Sequence, residues 1–157
     1  MISPVVHTLH VVLAGVWLGG VVFTTVVVSP ALKAMRWSEA ERVGVRSVIG
    51  KQYARVGAIN LILLLVFAVF DGLLRGFGTV LYTEYALLVA VFGLVAAHGG
   101  YFGRRLARLA AAERYSESAE EARAFVEKRR SLQRLSLWAS WVNILISVVV
   151  AALAVGA

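Results

Sequence analysis

The side chains best suited to chemistry in this 157-residue chain are its three histidines, and two of them, His7 and His10, lie in the opening stretch HTLHVVLAGVWLGG. An imidazole can ligate a metal, pass a proton or make a hydrogen bond. His10 falls inside an apolar run, where a neutral ring needs either a hydrogen-bond partner or a metal. On a helix, His10, Leu13, Ala14, Trp17, Val21 and Thr24 share one stripe, with His7 about 60° around and one turn nearer the surface. His98 follows LLVAVFGLVAA and precedes GGYFGRR. It too is expected within an apolar segment, with Asn60, Trp138, Trp141 and Asn143 as candidate neighbours.

Asp71, Arg75, Glu84 and Tyr85 are the groups expected near the layer of His7 and His10. Two imidazoles with a carboxylate suit copper(II) or zinc. Copper(I) prefers thiolates or thioethers, and the chain has no cysteine and only two methionines, Met1 and Met35. Met1 falls near the histidines and Met35 at the opposite end. HxxH spacing alone is a weak metal signal, and Asp71 and Arg75, four apart, can pair with each other. The lack of cysteine also removes disulfides and iron–sulfur clusters.

The elements that must carry these groups follow from composition. Hydrophobic residues make up 60% of the chain and charged residues 16%, with a mean hydropathy of +0.80. A soluble domain of this size has too little interior for so much apolar surface. Four apolar stretches, about 4–28, 53–74, 82–102 and 135–155, each approach the ~20 residues a helix needs to cross the hydrocarbon layer. The opening Met-Ile-Ser-Pro has neither a basic leader nor a small-residue cleavage site, so the first stretch is expected to be retained. The expected fold is all-α, a single four-span membrane bundle over 1–157.

Charge sets the expected orientation. Six basic residues (Lys33, Arg36, Arg42, Arg46, Lys51, Arg55) follow the first span, and nine more lie between Arg104 and Arg134. Only Arg75 falls between the second and third spans. The positive-inside bias then puts both basic connections in the cytoplasm and both termini outside, as a multi-pass protein of the inner (plasma) membrane. The net charge of +7 is thereby a membrane signal that suits anionic headgroups, and no nucleic-acid partner is expected. Residues 104–134 read as a cytoplasmic helical extension, with Ser116 or Ser118 as an N-cap ahead of Glu120 and Glu121. It is either a solvated extension or a docking surface.

Gly15 and Gly19 form a GxxxG pair, and Gly93/Ala97, Ala96/Gly100 and Gly99/Gly103 repeat that spacing in the third span. Such rows let helices approach within the bundle, clear space for a flat cofactor, or form a homodimer seam. The sequence carries no Gly-rich phosphate loop, nucleophile elbow, HExxH motif or internal repeat.

The opening LHVVLAGVWLGGVVFTTVVVSPAL resembles the first span of the CopD-like group of four-helix membrane domains, which includes copper-resistance proteins of the CopD type and the HemJ type of protoporphyrinogen oxidase. GKQYARVGAINLILLL is similar to the entry of their second span, GYFGRRLARL to the exit of the third, and RAFVEKRRSLQRLSLWASWVNILISVVV to the final span of uncharacterised members. The resemblance covers most of the chain but rests on hydrophobic pattern plus WLGG. It implies haem b, with His10 as the iron ligand, and an electron carrier or membrane oxidoreductase with an unspecified redox partner. HemJ-type proteins also carry a lysine near the start of the third span. This chain has Tyr85-Ala86-Leu87-Leu88 there and no lysine between Lys51 and Lys128, so protoporphyrinogen oxidation does not carry over.

The expected haem centre has His10 as ligand, Trp17 packed near the porphyrin, and Arg75 or Tyr82 at the propionates. His98 joins it or forms a second site. The two histidines differ in depth by ten residues, roughly 15 Å along a helix, which weighs against one shared iron. Copper held by His7 and His10 is the alternative, and a cofactor-free accessory subunit the third.

Overall fold

The computed structural model describes residues 2–37 and 39–156. Among the described residues every regular element is helical, as expected for apolar segments that must satisfy their own backbone groups in lipid. α1 (Ile2–Val22) passes through a π-helical turn (Phe23–Val28) into α2 (Ser29–Ala34). α3 spans Glu39–Arg75. α4 (Thr79–Ala96) passes through a second π-helical turn (Ala97–Phe102) into α5 (Gly103–Arg114), and α6 spans Ala119–Gly156. Four of the resulting rods are long and apolar enough to cross a membrane. The expected spans lie inside them, and each of the last three rods runs well past its expected span at the basic end. Met1, the candidate thioether ligand, lies outside the described residues.

Both π-helical turns have local causes. Pro30 has no N–H, and its ring crowds the carbonyl one turn earlier. The chain widens just before it, with Ser29 N–H reaching Thr24 O. The second turn contains Gly99 and Gly100, and Gly103 N–H reaches back to His98 O. The backbone is therefore widened at His98 itself, a distortion that recurs at functional sites.

The 104–134 extension is a helical hairpin, with a new helix starting after Ser118 as expected. α5 turns back at 115–118, and Ser118 Oγ accepts the Glu121 N–H at 3.1 Å as the cap of α6. Arg129 Nε then donates to Glu113 Oε2 at 2.9 Å, tying α6 to α5.

Helix α1 packs against α3 and α6, and α4 packs against the same two. Helices α1 and α4 therefore face each other across the diagonal of the bundle. Ala14, Trp17, Val21, Leu61, Leu64, Leu88 and Val91 fill the centre with residues of α6. The outward surface is apolar as well: Val16, Ile59, Val89 and Leu145 are more than half exposed, which only lipid accommodates. Tyr82 and Tyr101, both exposed, are nineteen residues apart on one rod. At ~1.5 Å per residue that is about 28 Å, close to the ~30 Å hydrocarbon thickness.

The small-residue rows do not pack inside the bundle. A Cβ placed on Gly15, Gly19, Gly93, Gly99 or Gly100 would meet nothing within 4 Å, because these residues lie on the lipid-facing side. The close approaches occur elsewhere. A Cβ on Gly57 would lie 3.2 Å from Trp17 Cζ3, one on Gly20 3.0 Å from Tyr53 Oη, and one on Gly72 2.6 Å from Leu81 and Phe77. Gly72 thereby lets α3 and α4 close together at the turn where Gly76, with φ +98°, reverses the chain.

Candidate metal centre

The end of the bundle that carries both termini contains a buried cluster of charged side chains. The inward stripe of α1 delivers His10, which is fully buried. Glu84 comes from one turn inside the start of α4 and Asp71 from the last turn but one of α3; both are buried. His10 Nε2 donates to Glu84 Oε1 at 2.7 Å across the bundle diagonal. That bond puts a ring proton on Nε2, and in a neutral ring the lone pair is then on Nδ1. His10 Nδ1 faces Asp71 Oδ2 at 3.9 Å and has no hydrogen-bond partner. Asp71 Oδ1 and Glu84 Oε2 are likewise buried without partners.

His7, one turn nearer the end and 26% exposed, completes the group. Its Nδ1 lies 3.2 Å from Asp71 Oδ2 and accepts from Arg75 Nη1 at 2.8 Å. Arg75 Nη1 also lies 3.5 Å from Asp71 Oδ2. An imidazole lone pair and a carboxylate oxygen thus sit side by side facing one cation. Two ligands of an ion bound at ~2.1 Å stand about 3.0–3.4 Å apart in octahedral or tetrahedral geometry, so the His7–Asp71 spacing matches a shared coordination edge. One ligand atom each from His7, His10 and Asp71 can be chosen so that all lie within 4.8 Å of one another.

The other residues singled out by the sequence lie elsewhere. His98 Nε2 meets Ser136 Oγ at 3.1 Å and Ser140 Oγ at 3.2 Å, and its ring packs on Phe102. Its hydrogen-bond partners are therefore serines of α6 rather than any of the expected Asn60, Trp138, Trp141 or Asn143; Asn60 donates instead to Leu13 O at 3.1 Å. Glu84, the partner of His10, precedes His98 by fourteen residues on one rod, about 21 Å. The two histidines occupy opposite ends of the bundle. Trp17 donates Nε1–H to Ser147 Oγ at 2.9 Å and stacks on Tyr53. Tyr82 stacks on Phe77 and meets Tyr85 edge-on.

Asp71 and Glu84 are among the groups expected near His7 and His10, but spacing did not show that Glu84 meets His10 Nε2 while Asp71 meets His7. The signal was present, since they are the only carboxylates inside the four apolar stretches, where such groups are costly and usually functional.

Residues 12–115 match the family model described as "Domain of unknown function (DUF4149)". The chain belongs to the DUF4149 family. The match takes in Asp71, Arg75, Glu84 and His98, while His7 and His10 precede it and all of α6 follows it. No curated protein and no solved structure matches this DUF4149 chain. Family and fold together make it a small multi-pass helical protein suited to a lipid bilayer.

Proposed function

We propose that this protein binds a divalent transition-metal ion, copper(II) or zinc, through His7, His10 and Asp71 at the end of the bundle that carries its termini. One observation supports this reading above the others. Imidazole lone pairs and a carboxylate oxygen converge on one point, and the buried His10 Nδ1 has no donor of its own. Two nitrogens and one oxygen suit borderline metals. Glu84 accepts the remaining ring proton of His10 and so supplies the carboxylate–histidine–metal arrangement that orients a ligand and raises its basicity. With both termini outside, as the basic-residue distribution favours, the site opens to the external face through half-exposed His7.

Haem b with His10 as axial ligand is the rival reading, carried by the resemblance to CopD-like and HemJ-like domains. It requires a flat slot beside a free nitrogen of His10. Glu84 stands 2.7 Å from Nε2 and Asp71 3.9 Å from Nδ1, so the space at both nitrogens suits an ion better than a porphyrin.

Metal analysis and visible spectra of the detergent-purified protein separate the readings. The expected result is about one copper(II) or zinc per chain, lost in His10→Ala and in Asp71→Asn, with no Soret band. A Soret band with reduced α and β bands that vanishes in His10→Ala would replace the ion with haem. Wild-type protein that takes up neither would overturn both.

A further inference from the structure

At the opposite, basic end of the bundle, two adjoining open grooves of about 510 and 250 Å³ share Tyr101, Arg105 and Leu109, the larger along one face of the third rod and the smaller between α5 and α6. The larger begins at Gly100 and Tyr101, at the membrane edge of the rod, and continues past Arg104, Arg105 and Arg108. The smaller adds Lys128 and Ser131. Glu113 is engaged with Arg129, and among the described residues Arg104, Arg105, Arg108 and Lys128 pair with no carboxylate. Arg104 and Arg108 are like charges one helical turn apart, which repel unless an anion lies between them. Arg105 Nη1 donates to Tyr101 Oη at 2.9 Å, and its guanidinium stands 5.5 Å over the Tyr101 ring. Arg105 also lines both grooves.

A positive-inside bias is satisfied by scattered cations. Here they line an open groove with Gly100 at one end and guanidinium groups at the other. We propose that this groove binds the phosphate of an anionic glycerophospholipid. Guanidinium forks match phosphate oxygens, and Tyr101 lies where aromatic side chains sit at headgroup level. Gly100 leaves open space on the lipid-facing surface for an acyl chain to descend beside the rod. A free phosphate shares the headgroup's chemistry, but it would leave the apolar Gly100 end of the groove unused.

Native mass spectrometry of the intact protein in neutral detergent, titrated with phosphatidylglycerol, phosphatidylcholine of the same chains, or inorganic phosphate, tests the assignment. Phosphatidylglycerol should be retained at least about tenfold better than phosphatidylcholine, as a site of several cations requires. The triple variant Arg104→Gln/Arg105→Gln/Arg108→Gln should lose that preference. Arg123→Gln/Arg130→Gln/Arg134→Gln, which removes the same charge outside the groove, should keep it. Gly100→Leu fills the membrane end without changing charge and should also release the lipid, so the test does not depend on the groove triple folding. Equal loss in both triples would reduce the effect to net charge and overturn the site. Displacement of phosphatidylglycerol by millimolar inorganic phosphate would reassign it to a soluble anion.

Discussion

At the residue scale, the guanidinium of Arg75 holds the two acceptors, His7 Nδ1 and Asp71 Oδ2, for which the proposed divalent ion would compete. Arg75 is 40% exposed, so solvent screens its hold and the arm can swing away when an ion enters. Removing it should help the metal. Arg75→Gln is expected to bind copper(II) or zinc about fivefold more tightly, corresponding to ~1 kcal/mol for a screened charge pair. Isothermal titration reads this directly; unchanged or weaker binding would show that Arg75 does not occupy the ion's place. Glu84 acts in the other direction. Glu84→Gln keeps the shape and can still accept from His10, but loses the charge that raises the ring's basicity. Metal affinity should fall about 10–100-fold, as for other carboxylates behind a ligating histidine, while the melting temperature stays near that of the parent.

At the scale of elements, the site depends on how closely α1 meets α3 and α6. Trp17 is the central piece: its ring packs against Gly57 and Tyr53, and its N–H bonds Ser147 on α6. Hydrophobic side chains gain little from leaving lipid for a lipid-like interior, so helix association leans on close packing and such bonds. Trp17→Phe and Ser147→Ala should each lower stability. Their double-mutant coupling should be about 0.5–2 kcal/mol, the range for hydrogen bonds between membrane helices, read from thermal melts in detergent. Gly57→Ala puts a methyl 3.2 Å from Trp17 Cζ3, in a place where the indole has little room to retreat. It should cost about 1–3 kcal/mol by overpacking. Gly15→Ala and Gly19→Ala, which meet open space, should leave the monomer's melting unchanged. A marked loss in either would point to a seam with a second copy.

For the whole molecule, the expected orientation rests on a charge imbalance: six basic residues follow the first span and nine lie in 104–134, against Arg75 alone at the other end. The chain has no native cysteine, so a single introduced thiol reports cleanly. Ser116→Cys, in the α5–α6 turn, should be labelled by an impermeant reagent only after the membrane is opened. Gly78→Cys, in the turn beside the metal centre, should be labelled in intact cells. The reverse pattern would put the metal centre on the inside and the lipid groove on the outside.

The sequence alone was enough for class, span number and the identity of the inward stripe of α1, because hydrophobic run length and the 3.6-residue period are local properties. His10, Ala14, Trp17 and Val21 are the buried residues of that helix, all from the expected stripe. Ser118, one of two serines expected to cap the last helix, does so for the same local reason. The partners of each histidine were decided only by tertiary packing. Nothing local says that α1 and α4 lie across a diagonal, so His10 facing Glu84, or His98 facing Ser136 and Ser140, could not be read from spacing. The glycine rows misled for a related reason. Spacing shows that small residues share a face, but only the assembled bundle decides whether that face meets another helix of the chain, and here it faces outward.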